Sequence, residues 1–587
     1  MKSHTDLQIP TIRFSFLALG FIVLAWSAYA FAAMGAFSYG AIVAISVGSV
    51  AAAILAIRWL ATESVPARII FVLAMVYTVA LLSTATPSVF SGRDQGSIAE
   101  AAIELSESGR FGHAYPVTQT FFSLYGPGKA LNFPGFFYEN DGSLVSQFPK
   151  SYIAWVGMFH SSFGLGGLTI GNGVLLVLSF LSLFMLVRTL ADEIAAMGAT
   201  LIAATSFLPS WFAKFTLTEN LGLFLFLALS LFVVLFFLNP RRSHFLSAVL
   251  TAILLAVTRI EGLPILALTL ALLFLTKRGE SFPFTRLIPV RWATLLTTAI
   301  VLLADFFGNM TRYVSIVKAV SRTVSESGSA PLGSTSLELF SDMASFWELF
   351  SSYGLLLPLL LGLVGIVILA IQRNRIALIP AVLALPTFLY LVDPNISADH
   401  PWMLRRLLFS VWPAMVISCS AGIHALTGDT ADGKRKALVT AAVVCLAGIV
   451  PTASVFTFSE NPALLEETHR LADTIGSDDL VLIDRTASGD PYAIIAGPLR
   501  FLYGKNAVYF FNSADYAKIP LRQYRHTYLL SPADEFERWS GLSASLSPVK
   551  TFSFTAVRLG PLPLEESRFP DKTNVTTNSI LFRLDPL

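Results

Sequence analysis

Thirteen apolar runs of bilayer-spanning length constrain this chain more than any other feature, because a lipid bilayer accepts such stretches only as helices that satisfy their own backbone. They fall near 14–34, 37–60, 68–86, 168–187, 194–213, 220–238, 244–258, 262–276, 291–307, 351–371, 376–392, 403–426 and 437–457. With 54% hydrophobic and 13% charged residues in 587, a soluble globular enzyme is excluded. The formal net charge is +2, so no whole-chain field favours a nucleic-acid partner. Cys419 and Cys445 lie inside apolar stretches and provide neither a disulfide framework nor a thiolate metal site. The first run lacks a cleavage site followed by a polar mature domain, and reads as a retained helix, not a signal peptide.

Charge density divides the chain. Residues 458–587 carry 29 charged side chains in 130 positions, about 22%, against about 11% in residues 1–457. The expected organisation is a polytopic α-helical membrane domain over 1–457, containing an external loop at 87–167, followed by a water-soluble α/β domain over 458–587. Lys and Arg are retained on the cytoplasmic side during insertion. Placing the N-terminus inside puts Arg58/Arg68, Arg188, Arg241/Arg242, Lys277/Arg278/Arg286, Arg373/Arg375 and Lys434/Arg435/Lys436 in successive cytoplasmic turns. The expected location is therefore the plasma (inner) membrane, with the 87–167 loop and the C-terminal domain on the extracytoplasmic side.

Within the loop, Asp94–Ser108 reads as an amphipathic helix along the membrane surface. Ile98, Ala101, Ala102 and Leu105 lie on one side, and Glu100, Glu104 and Glu107 form a solvated face. A Gly/Pro/aromatic stretch follows, then a second apolar helix over Tyr152–Phe163, with Trp155 and Phe159 suited to the interfacial zone. In the C-terminal domain, helix-like and strand-like runs alternate at Pro462–Ile475, Leu480–Asp484, Tyr492–Tyr503, Ala507–Phe511, Thr527–Ser531, Ala533–Leu542 and Val549–Leu559. No dinucleotide fingerprint follows the first strand. Asn574-Val-Thr fits a glycosylation acceptor pattern that arises often by chance and carries no weight.

Ionisable side chains at helix ends in a membrane protein are costly, and a recurring set on one face signals function. Asp94 opens the external loop beside Arg93, Lys150 precedes its second helix, and Glu219 starts the sixth span. Arg259 and Glu261 end the seventh, and Arg405/Arg406 start the twelfth. Such a set suits group transfer from a phosphate-activated lipid: basic residues hold the phosphate as its charge grows, and a carboxylate deprotonates the attacking hydroxyl. Each residue also has a plainer reading. Asp94 could cap its helix, and Glu219 could be a first-turn acid favoured by the helix dipole. Lys150, Arg405 and Arg406 could snorkel to lipid headgroups. Arg259 and Glu261 could pair, although i,i+2 positions on a helix do not face each other. His400 reads as a loop residue. Asp94 and Glu219 could together hold a divalent cation such as Mg²⁺ or Mn²⁺ across two elements.

The ordered segments RDQGSIAEAAIELSESGRFG, FPKSYIAWVGMFHSSFG, TENLGLFLFLALSLF, TRIEGLPILALTLALLF and LRRLLFSVWPAM resemble the GT-C superfamily of integral-membrane glycosyltransferases. The likeness is to the branch containing protein O-mannosyltransferases and the lipid A aminoarabinose transferase. The resemblance implies a loop acid at Asp94 acting as catalytic base or metal ligand, and a second acid at Glu219 facing the same cavity. It also implies basic positions near the donor phosphate at Lys150 and Arg405/Arg406, with Arg259 a further one. The chain departs from the family where Asp94-Gln95 stands for a frequent Asp-Glu, and Pro149-Lys150 for a frequent double proline.

The expected activity is an inverting glycosyltransferase that moves a sugar from a polyprenyl-phosphate donor to a hydroxyl on a glycan, lipid or protein acceptor. A polyprenyl-diphosphate-dependent oligosaccharide ligase or polymerase is the competing enzyme. A lipid or solute transporter would instead place its ionisable residues near the bilayer midplane, between paired broken helices. Acceptor binding is one role open to the C-terminal domain.

Overall fold

A computed structural model describes residues 4–275, 288–310, 313–314, 345, 347–391 and 399–584. Every one of the thirteen apolar runs overlaps helix. Six helices are long and apolar enough to cross a membrane alone: Thr11–Ala33, Phe37–Leu60, Val65–Leu82, Leu165–Leu190, Thr218–Leu238 and Ala431–Phe456. Trp402–Leu408 and Val411–Thr427 make a seventh, bent by 51°. The other six runs hold shorter apolar helices, so an expectation of thirteen full crossings exceeds what length supports. Two of these six runs are interrupted. The 194–213 run divides into Glu193–Ala204 and Phe207–Phe212, and the run after Ile379 tightens into a 3₁₀ turn at Leu385–Leu391, where Pro386 removes a backbone donor. The chain is a multi-pass membrane protein.

Burial separates centre from periphery. Leu165–Leu190 and Thr218–Leu238 are 89% buried over their most apolar windows, whereas Phe37–Leu60 is 17% buried. The first two are the middle of the bundle, and the last presents Ile42, Val43, Val47 and Val50 outward, as a lipid-facing helix must. Helix starts carry ordinary signals: Ser64 accepts from Ala67 N with Pro66 in the first turn, and Asp192 accepts from Ala195 N.

The loop that follows Val65–Leu82 is a folded unit. It contains helices Asp94–Ser108, Pro116–Tyr125 and Lys150–Phe163, and an antiparallel sheet of Gly128–Lys129, Phe136–Tyr138 and Leu144–Ser146. Two expectations are corrected here. Glu100 and Glu104 are buried, not solvated. The Ala496–Phe501 helix of the C-terminal region packs on them so closely that a side chain at Gly497 would overlap Glu100 Oε1. Trp155 and Phe159 are buried too, with Trp155 Nε1 donating to Gly171 O at 3.1 Å, so this helix packs inward and not at an interface.

After Ala431–Phe456 the chain forms a mixed five-stranded sheet, in the order Asn506–Tyr509, Leu480–Ile483, Thr527–Pro532, Lys572–Leu584, Leu546–Leu559. The first three strands are mutually parallel, and Lys572–Leu584 runs antiparallel to both of its neighbours. The alternating runs of the sequence recover all of these strands except Lys572–Leu584, whose polar Thr/Asn-rich first half hides a β-branched pattern. Asn574 lies within that strand.

The sheet domain is fastened to the loop and bundle at several points. Lys214 Nζ donates to Val455 O, Phe456 O, Phe458 O and Thr84 Oγ1 at 2.7–2.9 Å, placing a cation at the C-terminal end of the last long helix. Backbone pairing joins Gly92 N to Tyr492 O and Ile494 N to Phe90 O, both at 2.7 Å. Tyr125 OH donates to Asp515 Oδ2 at 2.9 Å, and Phe136 stacks on Phe501 at 5.1 Å.

Candidate active site

Asp94 is the first residue of its helix. The preceding Arg93 is the cap position and makes no side-chain capping bond, so Asp94 is not an N-cap. Its Oδ2 accepts instead from Arg405 Nη2 in a short ion pair. Arg405 begins the short Arg405–Leu408 helix that precedes the bend into Val411–Thr427, and its Nε lies 3.5 Å from Glu219 Oε1. Glu219 sits in the first turn of Thr218–Leu238, and the same Oε1 meets Arg259 Nη1 at 3.0 Å. Arg259 occupies the break between Arg242–Thr258 and Gly262–Leu275. Off the helix, the restriction on i,i+2 pairs lapses, and Arg259 Nη2 reaches Glu261 Oε1 at 2.8 Å. Glu261 also accepts from Tyr390 OH at 2.7 Å. One continuous chain of charge, Asp94–Arg405–Glu219–Arg259–Glu261, thus links four separate elements.

Packing holds this chain in place. The Arg259 guanidinium lies 4.4 Å from the Phe409 ring centroid, and Gly222 leaves room for its stem, since a Cβ there would come within 3.0 Å of Arg259 Cδ. Thr218 Oγ1 accepts from Arg259 Nη1 at 3.0 Å. The ion pairs differ in exposure: the Glu219 side chain is 5% exposed and that of Asp94 40%. Glu219 is therefore a buried hub, and Asp94 is the end that an incoming molecule can reach.

Lys150 is connected to this chain through its neighbour. Ser151 Oγ lies 3.0 Å from Thr258 Oγ1, the residue before Arg259. The Lys150 ammonium donates to Gly308 O at 2.7 Å and lies over Phe111 at 5.3 Å. It lines two cavities. One, of about 940 Å³, has Glu139, Asn140, Asp141 and Ser143 among its walls. The other, of about 720 Å³, has Trp26, Tyr29, Arg110, Ile300 and Val301. Arg406 takes a separate position, stacked at 5.4 Å on the Tyr390 ring, and among the described residues its buried Nε has no hydrogen-bond partner.

The structure thus joins Asp94, Arg405, Glu219 and Arg259 in one ion-pair string, whereas the Lys150 ammonium sits at Gly308 and Phe111 and Arg406 stacks on Tyr390. Arg259 and Arg405 are already engaged by carboxylates. Sequence reasoning missed Tyr390 and Arg110, and named Glu261 in the charged set without giving it a role. Glu261 was findable as the second charged group of a Thr-Arg-Ile-Glu-Gly break, whereas Tyr390 and Arg110 carry no local signal. Among the described residues no group of three or more His, Cys, Asp or Glu side chains could hold a metal ion. Arg405 bridges Asp94 and Glu219, so a divalent cation between them would have to displace a guanidinium.

Where the C-terminal domain meets the Asp94 helix, buried acids cluster. Burial pushes the Glu100 carboxyl well above the ordinary carboxylate value. Burial also raises Glu104, against the hydrogen bond from Tyr115 and the charges of His113 and Arg500. Glu460, in the segment leading into the domain, is pushed up to about 7 by burial, with Arg93 and Arg558 pulling the other way.

This arrangement of a helical bundle, a folded loop with an acid at its first helix and a C-terminal sheet domain has the fold of solved membrane proteins. ArnT from Cupriavidus metallidurans in the apo state matches at TM-score 0.52 and 13% identity, over 88% of this chain and 99% of ArnT. The same protein bound to undecaprenyl phosphate matches at TM-score 0.50 and 12% identity, over 89% and 99%. An Archaeoglobus fulgidus oligosaccharyltransferase tethered to an acceptor peptide is a weaker likeness, at TM-score 0.43 and 13% identity over 79% of this chain and 69% of that one. No protein-family model and no curated protein matches the sequence.

Proposed function

We propose that this protein is an inverting glycosyltransferase that moves a sugar from a polyprenyl-phosphate donor to a hydroxyl acceptor on the extracytoplasmic face of the membrane. The observation that carries the reading is the ion-pair chain that ends at a half-exposed Asp94 carboxylate, together with Lys150, which lines two cavities at the start of the helix whose Ser151 touches Thr258. The positive-inside pattern supports the orientation. The structure of ArnT with undecaprenyl phosphate supports the donor class.

In this mechanism the acceptor hydroxyl gives its proton to Asp94 as its oxygen forms a bond to the anomeric carbon from the face opposite the phosphate. The bond from that carbon to the phosphate oxygen breaks, and the phosphate leaves on the lipid with one more negative charge. Lys150 offsets that charge, with Arg406 as a second cation. Arg405 fixes the direction of Asp94, and Glu219, too buried to reach a substrate, holds Arg405 and Arg259. No step passes through a metal ion, so chelators are expected to leave activity unchanged. The lipid tail would occupy the more apolar of the two cavities at Lys150.

The test is purification in lipid, followed by mass spectrometry of co-purified polyprenyl-linked sugars and transfer assays with monophosphate- and diphosphate-linked donors. Transfer from the monophosphate with inversion, abolished by Asp94→Asn, is expected. Use of the diphosphate alone would favour the oligosaccharide ligase. Absence of any such lipid in wild type and Asp94→Asn alike would overturn the reading.

A further inference from the structure

The Asp94 carboxylate is aimed by residues on both sides of its own backbone, and one of them belongs to the C-terminal domain. Arg93 is extended, at φ −105° and ψ −179°, so its side chain and that of Asp94 leave the backbone in different directions. Asp94 goes to Arg405, and Arg93 goes to Asp399, six residues earlier in the same late segment. The two ion pairs grip one short stretch of chain from two consecutive loop residues. The Arg93 guanidinium also lies over two aromatic rings, Trp402 at 5.1 Å and Tyr492 at 4.7 Å. Tyr492 comes from the C-terminal domain and accepts Gly92 N through its own carbonyl at 2.7 Å. Its ring is fixed in turn by Arg558, stacked at 5.0 Å and ion-paired to Asp490.

Resting on the function proposed above, we infer that Tyr492 is a positioning residue for Asp94. Its ring holds Arg93 on Asp399, and this keeps the Asp94 carboxylate on Arg405 and in line for the acceptor hydroxyl. The C-terminal domain is then part of the active site without touching the substrate. A guanidinium over an aromatic face is held by the ring quadrupole, which Phe retains and Leu lacks, and misplacing a catalytic group lowers turnover more than it lowers affinity.

The test uses the full-length protein in lipid nanodiscs. Tyr492→Phe is expected to keep kcat within about twofold, whereas Tyr492→Leu lowers kcat about tenfold with donor KM and melting temperature unchanged. Tyr492→Leu combined with Asp399→Asn is expected to be no worse than the weaker single variant, because both cut the same link. Wild-type kcat in Tyr492→Leu, additive losses in the double variant, or a lowered melting temperature with normal kcat in the folded fraction would each overturn the inference. A second measurement needs no substrate: Asp94→Cys with Arg405→Cys, in a background with Cys419 and Cys445 replaced by Ser, is cross-linked by a short bismaleimide. The yield is expected to fall when Tyr492→Leu is added, and an unchanged yield overturns the inference. Wild type that transfers from no lipid donor but shows this fall would refute the glycosyltransferase reading and leave the positioning role standing.

Discussion

Two buried arginine–glutamate clusters lie toward opposite ends of the Leu165–Leu190 helix, and they are built differently. At one end Arg188 donates to Glu63 through two bonds of 2.6 and 3.1 Å, and Trp59 Nε1 donates to the same carboxylate. Arg188 and Glu63 side chains are 3% and 0% exposed. This pair is closed, and it ties the turn before Val65–Leu82 to the bundle. At the other end the arginines and acids form a string that terminates at a half-exposed carboxylate. Burial and ion pairing are common to both, so neither marks a site. What distinguishes the second cluster is that its string ends at a carboxylate left 40% exposed.

The largest expected effect lies at that end. Asp94→Asn should lower kcat by about a hundred- to ten-thousandfold, the usual cost of losing a general base, with little change in thermal stability because the side chain is half exposed. Equal loss of stability and activity would erase the distinction between the clusters. Next come Arg188→Met and Glu219→Gln, each of which breaks a buried ion pair at a cost of about 3–5 kcal/mol, read as a lowered melting temperature. They should then part company: surviving Arg188→Met protein keeps its kcat, whereas Glu219→Gln protein loses it as Arg405 and Arg259 shift. Lys150→Gln should raise donor KM about tenfold with a smaller change in kcat, because a phosphate–ammonium contact present before and after bond breaking contributes mostly to binding.

The smallest effect concerns pH. Glu460, Glu100 and Glu104 all have carboxyls raised by burial at the junction of loop and C-terminal domain. A carboxyl whose folded value exceeds its unfolded one binds more protons when folded. Stability is then greatest below about 4.5 and falls as pH rises through the folded value, about 7 for Glu460. Melting temperature measured from pH 5 to 8 should decline by a few degrees, and Glu460→Gln should flatten the curve.

The apolar runs were legible because a bilayer imposes one length and one composition on every crossing. Asp94, Glu219, Arg259 and Arg405 were legible because charge is scarce in such a chain and stands out wherever it occurs. Illegible were the features made by distant partners. Arg405 and Asp94 are 311 residues apart in the chain. The Glu100 and Glu104 face looks solvated until the Ala496–Phe501 helix covers it. Lys572–Leu584 has a polar outer half because part of it stays exposed, and that masks a strand with partners on both sides. Helix Pro116–Tyr125, hidden in a Gly/Pro/aromatic stretch, carries Tyr125, which binds Asp515 of the sheet domain.

The position of Lys572–Leu584 between two earlier strands bears on how the molecule is made. Translation delivers the Asp94 loop more than four hundred residues before the strand that completes the sheet behind Tyr492. The loop must wait until that strand slots into the middle of the sheet. Arg558, which stacks on Tyr492, lies on a strand paired with Lys572–Leu584, so the support behind the Arg93 contact is completed long after the loop it holds.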